Sequence, residues 1–182
     1  MATSCTAFFG PHRIASGDLD SITTSIQSSR KRAEWPQVLI FEDATGDRVE
    51  VDWRTASVKL IPADDRKPGR PKLGVVAREV TLLPRHWEWL ATQPGGASVA
   101  LRKLVEHARR ANEGRDRLRR AQEAAYRFIS TMAGNAPGFE EASRALFAGD
   151  ARRFESQSKS WPADVRDYAR QLARAVFDAV EE

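Results

Sequence analysis

Three aspartates are the first residues of this chain whose type and spacing suggest chemistry. Asp43, Asp47 and Asp52 flank a predicted hairpin turn, and paired carboxylates of this kind can act as general acid and base. Aspartate is also common in turns and at the solvent-facing positions of a strand. Turn and strand structure therefore account for all three residues without a catalytic role.

The other candidates for catalysis or metal binding also have structural explanations. Glu140 and Glu141 open a predicted helix after Pro137, where negative charge offsets the helix dipole. The single Cys5 and three scattered histidines show no metal-ligand spacing. No glycine-rich phosphate loop or nucleophile motif occurs. The sequence predicts neither an enzyme nor a metal or cofactor site.

The composition is that of a soluble globular protein, with 41% hydrophobic and 30% charged residues. No apolar run reaches the roughly 18 residues that a membrane-spanning helix needs. One cysteine cannot form an internal disulfide, which favours a reducing compartment. These features predict a cytoplasmic protein without a membrane partner.

Positive charge is concentrated in the middle third of the chain. Residues 66–78 contain five lysines and arginines and no acidic residue, and residues 102–120 contain eight against three acidic residues. Such clustering can attract a polyanion through counterion release. A solvated helix face is the alternative explanation for the charge alone.

The pattern of residues 1–62 predicts a small β-β-α-β-β unit. Short apolar runs surround Gly10-Pro11, and an amphipathic helix follows with Asp18 or Asp20 as its N-cap. The run PQVLIFED reads as a buried strand, and Val49, Val51 and Trp53 alternate with charged residues. Residues 63–77 form a basic, proline-rich linker in which regular structure is not expected.

The rest of the chain is predicted to be a strand-helix-helix over 78–112 and a helical part over 113–182. Pro94-Gly95-Gly96 ends the first helix, and Ser98 is expected to cap the second. A third helix is predicted from Asp116 to Ala133, with three more after Pro137, Asp150 and Pro162. The fold class is therefore α+β, dominated by helix.

The linker and the segment after it resemble DNA-binding elements. Gly69-Arg70-Pro71 resembles half of an AT-hook core, an extended arm that places arginine in a minor groove. Leu83-Pro84, Trp87, Leu90, Gly95-Gly96 and Ser98 occur in the order and spacing of a ribbon-helix-helix module. In that family a short strand pairs with its copy in a second subunit and enters the major groove. The resemblance implies a homodimer that pairs through residues 78–83.

Nearly the whole chain resembles an uncharacterised bacterial family, domain of unknown function twenty-two thirty-nine. The resemblance rests on LIFEDATGDRVEVDWR, on the long segment GRPKLGVVAREVTLLPRHWEWLATQPGGASVALRKLVEHARR, and on PGFEEASRALFAGD and WPADVRDYARQLA. It implies a bacterial cytoplasmic protein and no particular activity.

The leading functional hypothesis is a DNA-binding protein, such as a transcriptional regulator. Its predicted contact residues are Arg70, Lys72, Arg78, Thr81, Arg85, Ser98 and Arg102. Thr81 is the expected base contact if Val80 and Leu82 face inward, and the other residues would contact phosphates or a minor groove. The opposite strand register, with Leu83 inward, stays open. The alternative hypothesis is a protein–protein interaction module with exposed aromatic anchors and no nucleic-acid binding.

Overall fold

A computed structural model describes residues 3–53 and 78–181 and confirms a helix-dominated α+β fold. Four strands and one helix lie in the N-terminal part. They are β1 (Ser4–Phe9), β2 (His12–Asp18), α1 (Leu19–Ser29), β3 (Val38–Glu42) and β4 (Arg48–Val49), with a 3₁₀ helix over Arg32–Gln37. Five helices follow: α2 (Pro84–Ala91), α3 (Gly96–Ala133), α4 (Phe139–Ala148), α5 (Ala151–Gln157) and α6 (Ala163–Glu181).

The four strands form one antiparallel sheet in the order β2-β1-β3-β4. Both hairpins predicted from the sequence are present, with Gly10 at a φ of 55° in the first turn. Strand β4 is shorter than the alternation of Val49, Val51 and Trp53 predicts, because only Arg48 and Val49 pair with β3.

Alternation along the strands supplies a core to each face of the sheet. Cys5, Ala7, Val38 and Ile40 pack with apolar residues of α1 on one face. Phe8 and Phe41 point to the other face and join the core built by the C-terminal helices. Successive side chains of a strand point to opposite faces, so the sheet is covered on both sides. One face of the N-terminal sheet therefore shares its hydrophobic core with the C-terminal helices.

Helix boundaries follow the predicted caps at several positions. The Asp18 side chain accepts a hydrogen bond from the backbone N–H of Ser21 at 2.9 Å. Asp150 accepts from the N–H of Arg153 at the same distance and opens α5. Gly149 adopts a φ of 70° and ends α4, as expected for a left-handed C-terminal residue. The helix starts predicted at Asp150 and at Asp18 or Asp20 are confirmed, the latter at Asp18.

The sequence predicted one helix that begins at Ser98 and a separate helix that begins at Asp116, and the break between them is wrong. A single helix, α3, runs from Gly96 to Ala133, so five helices rather than six follow the linker in the described residues. Gly114 lies inside α3, where glycine costs only about 1 kcal/mol relative to alanine. The packing of a helix as long as α3 offsets that cost. Ser98 consequently lies in the first turn of α3 and is not its cap.

The chain divides into two compact units. The first unit comprises Met1–Leu60 and Gly114–Glu182, and the second comprises Ile61–Glu113. The second unit therefore contains α2 and residues 96–113 of α3. Among the described residues, no helix is long and apolar enough to cross a bilayer.

Candidate nucleic-acid interface

The predicted DNA-contacting residues fall into two groups. Arg70 and Lys72 lie outside the described residues. The other five belong to the second unit and all are exposed: Arg78, Thr81, Arg85, Ser98 and Arg102. Exposure is the minimum condition for a phosphate or base contact.

Residues 78–83 lie as irregular, exposed chain before α2. Leu82 is half-buried and the five others are exposed. Leu83 has extended backbone angles, with φ −67° and ψ 149°. A strand requires a hydrogen-bonding neighbour, and the described part of this chain provides none for this segment. The pairing of this segment with its copy in a second subunit stays a prediction.

In the described part of the second unit, residues 78–113, few hydrophobic residues are buried and several large ones are exposed. Leu90 and Ala100 are its buried hydrophobic residues within 78–113. Large apolar side chains are exposed over the same range: Val80, Leu83, Trp87, Trp89, Leu104 and Val105, with exposed fractions of 43–64%.

Positive charge in this unit is only partly neutralised. Arg109 and Arg110 both contact the carboxylate of Glu106 at 2.9 Å. The hydrogen bond from Arg109 is the main cause that lowers the pKa of Glu106 to about 2. Arg102 instead donates from Nε to the carbonyl of Ser98 at 3.1 Å. No carboxylate of the described residues pairs with Arg102, so its charge is available to an anion.

A family model described as an uncharacterized protein conserved in bacteria, DUF2239, matches residues 4–173. The chain belongs to the DUF2239 family. No curated protein and no solved structure matches this DUF2239 chain. The ribbon-helix-helix resemblance is without support from these comparisons and stays a prediction.

In the DUF2239 chain, Asp43 makes contacts that its place in a turn does not reveal. Its carboxylate accepts hydrogen bonds from Ser4 at 2.6 Å, from Thr6 at 2.8 Å and from the Tyr168 hydroxyl at 2.6 Å. Thr6 and Tyr168 are buried. The carboxylate thus joins the end of β3 to β1 and α6, across 125 positions in sequence. No local sequence signal indicates such a distant partner.

The Asp43 network supports structure better than catalysis. Burial, followed by the hydrogen bond to Asp43, raises the pKa of Tyr168 above its ordinary value. Burial, followed by the charge of Asp43, raises the pKa of the Cys5 thiol to about 11. A protonated phenol and a protonated thiol are poor nucleophiles. Within the described residues, no group of three or more histidine, cysteine and acidic side chains is arranged to hold a metal ion.

The raised pKa of Tyr168 predicts that this side chain titrates above the ordinary pH range of tyrosine. The chain has two tyrosines, Tyr126 and Tyr168. In a Tyr126→Phe variant, tyrosinate absorbance reports Tyr168 alone. We expect no signal as the folded protein passes pH 10, the ordinary value for tyrosine, and a normal titration when the protein is unfolded in urea.

The raised pKa of Tyr168 also makes the stability of the folded protein depend on pH. Above pH 10 the unfolded state loses the tyrosine proton and the folded state keeps it, so the free energy of unfolding falls as pH rises. Asp43→Asn removes the anionic acceptor and should bring the folded-state titration closer to pH 10. Tyrosinate absorbance at pH 10 in the folded Tyr126→Phe protein would contradict this assignment.

Proposed function

We propose that this DUF2239 protein binds duplex DNA as a homodimer through its second unit. The observation that most supports the proposal is that apolar and basic side chains lie on different sides of α3 over residues 96–113. At about 100° per residue, Leu101, Leu104 and Ala108 recur on one side of the helix. Arg102, Lys103 and Arg110 lie away from that side.

The apolar surface supports the dimer part of the proposal. Leu104 and Val105 are 49% and 64% exposed, and they continue the helix side that Ala100 and Leu101 begin. Monomeric soluble proteins rarely leave a contiguous apolar surface of this kind uncovered. A second copy covers it with an identical surface, since a two-fold interface is self-complementary.

The basic surface supports the DNA part. Residues 78–113 contain six lysines and arginines against four glutamates, a net charge of +2, and a dimer doubles that charge. Arg78, Arg85 and Arg102 have no ion pair with any described residue. Unpaired, exposed guanidinium groups suit DNA phosphates, which accept forked hydrogen bonds.

The test is fluorescence anisotropy of labelled random-sequence duplexes at about 50 mM salt, where phosphate-driven binding is strong. The double variant Arg85→Ala, Arg102→Ala should weaken binding by about ten-fold, the effect expected for lost charged hydrogen bonds. The double variant Arg152→Ala, Arg174→Ala is a matched control, because it also removes two exposed arginines, but from α5 and α6 of the first unit. Equal losses in both variants would show that only net charge matters and would reject this interface.

Exposed tryptophans favour the second candidate, a protein–protein interaction module. Trp87 and Trp89 are 43% and 50% exposed on α2, and exposed aromatic side chains are common anchors of protein interfaces. Under this hypothesis the double variant Trp87→Ala, Trp89→Ala abolishes binding to a partner protein, and the arginine substitutions leave that binding unchanged. Absence of duplex binding by the wild-type protein at about 50 mM salt would favour this candidate over DNA binding.

A further inference from the structure

We propose that a groove between α3 and α6 in the first unit binds a small organic oxyanion that also carries a hydroxyl or amine donor. This site is separate from the proposed DNA interface and does not rest on DNA binding. Its walls are formed by Arg117 and Arg120 of α3, by Gln171 of α6, and by Asp43 after β3.

The cationic wall consists of Arg117 and Arg120, which are neighbours on α3 because residues three apart share a helix face. Arg120 donates from Nε to the backbone carbonyl of Asp116 at 3.1 Å, which leaves its terminal nitrogens for another acceptor. In the described part of the chain, neither arginine has an ion pair with a carboxylate. Like charges at this spacing repel one another, and a bound oxyanion between them removes that repulsion.

Asp43 adds a hydrogen-bond acceptor to the residues that line the groove. Asp43 Oδ1 accepts from Thr6 and Tyr168, whereas Oδ2 accepts from Ser4 alone among the described residues. A carboxylate oxygen has two acceptor positions, so Oδ2 has capacity for one further donor. The network on Oδ1 fixes the orientation of this carboxylate, which favours binding without a cost of ordering the side chain.

Small side chains create the space between these walls. Ala121 and Ala124 of α3 and Leu172 and Ala175 of α6 line a depression of about 360 Å³. Alanine leaves room between two packed helices that a larger residue would fill. The volume lies in the range of small-molecule sites, which combine an apolar lining with a few polar groups.

The mixed charge of the groove determines the class of ligand. A polyanion is disfavoured because Asp43 would repel it. A purely apolar molecule would leave the two guanidinium groups without a partner. A small hydroxy acid, amino acid or phosphorylated alcohol satisfies both walls: its carboxylate or phosphate pairs with Arg117 and Arg120, and its hydroxyl or amine donates to Asp43.

Isothermal titration calorimetry of the full chain at constant ionic strength tests the proposal with three probes. Malate carries carboxylates and a hydroxyl, glycerol 3-phosphate carries a phosphate and hydroxyls, and succinate is malate without the hydroxyl. We expect malate or glycerol 3-phosphate to bind, and the stronger of the two identifies the preferred oxyanion. If malate is the stronger ligand, it should bind about five-fold more tightly than succinate, the effect of one hydrogen bond.

Variants assign the binding to this groove. Arg117→Gln should weaken the stronger probe by about ten-fold or more, and Arg174→Gln, an exposed arginine of α6 that does not line the groove, should leave it unchanged. Arg117 is exposed, so its substitution is not expected to unfold the protein, and an unchanged unfolding curve checks this. The proposal is overturned if neither malate nor glycerol 3-phosphate gives a heat of binding. It is also overturned if the Arg117→Gln and Arg174→Gln variants lose the same affinity. If malate is the stronger probe, equal affinities for malate and succinate overturn it as well.

Discussion

Phe128→Ala is expected to lower the free energy of unfolding by about 3–5 kcal/mol, the usual cost of removing a fully buried phenylalanine. Phe128 is completely buried in the first unit. Its ring lies 5.4 Å from Phe8, 5.0 Å from Phe41 and 4.7 Å from Tyr168, measured between centroids. The side chain therefore joins two strands to α6, and its removal leaves a cavity that none of these elements can fill alone.

Urea unfolding of the variant and of Tyr126→Ala measures this difference. Tyr126 lies two residues away on the same helix and is 40% exposed, so its truncation removes an aromatic ring without opening the core. We expect a loss of about 1 kcal/mol for the control, the typical value for point substitutions. A Phe128→Ala loss no larger than the control would mean that the sheet and the helices do not share this core.

Gly46→Ala is expected to cost about 3 kcal/mol, the sum of backbone strain and a steric clash. Gly46 has a φ of 67°, and an added Cβ would lie 2.1 Å from the carbonyl oxygen of Ala124 in α3. The turn cannot move away freely because Arg127 donates to the carbonyl of Thr45 at 2.9 Å and pairs with Asp47. The clash is with backbone and is not relieved by a side-chain rotation.

Gly10→Ala provides the matched control for the strain component. Gly10 has a similar φ of 55° in the β1–β2 turn, but an added Cβ meets no atom within 4 Å. Its substitution should cost about 1–2 kcal/mol from backbone strain alone. The difference between the two variants measures the contact between the β3–β4 turn and α3. Equal losses would show that this contact is absent.

Local signals predicted much of the fold. Apolar runs predicted β1 and β3 as strands, but not that Phe8 and Phe41 face one core while Ala7 and Ile40 face the other. Asp150 was recognisable as a helix cap because a short acidic side chain before an apolar stripe satisfies free N–H groups, whereas the sequence left Asp18 and Asp20 as alternatives for α1. The third helix, predicted to start at Asp116, is instead the continuation of α3, and the small cost of Gly114 does not interrupt it.

The sites depended on contacts that sequence does not reveal. Asp43 was explained by turn preference alone, whereas its partner Tyr168 lies 125 positions later. Arg117 and Arg120 were recognised only as members of a basic run. Their i, i+3 spacing and the alanines at 121 and 124 were visible in the sequence, but the second wall of the groove requires α6 and the β3–β4 turn.

The salt dependence of duplex binding tests the proposed function most directly. Anisotropy titrations of the wild-type protein between about 50 and 200 mM salt give the slope of log affinity against log salt, which reports the number of phosphates contacted. We predict binding at the lower concentration, a steep loss at the higher one, and a slope reduced by about one for each phosphate-contacting arginine removed. Absence of binding at about 50 mM salt, or binding that is independent of salt, would contradict the proposal.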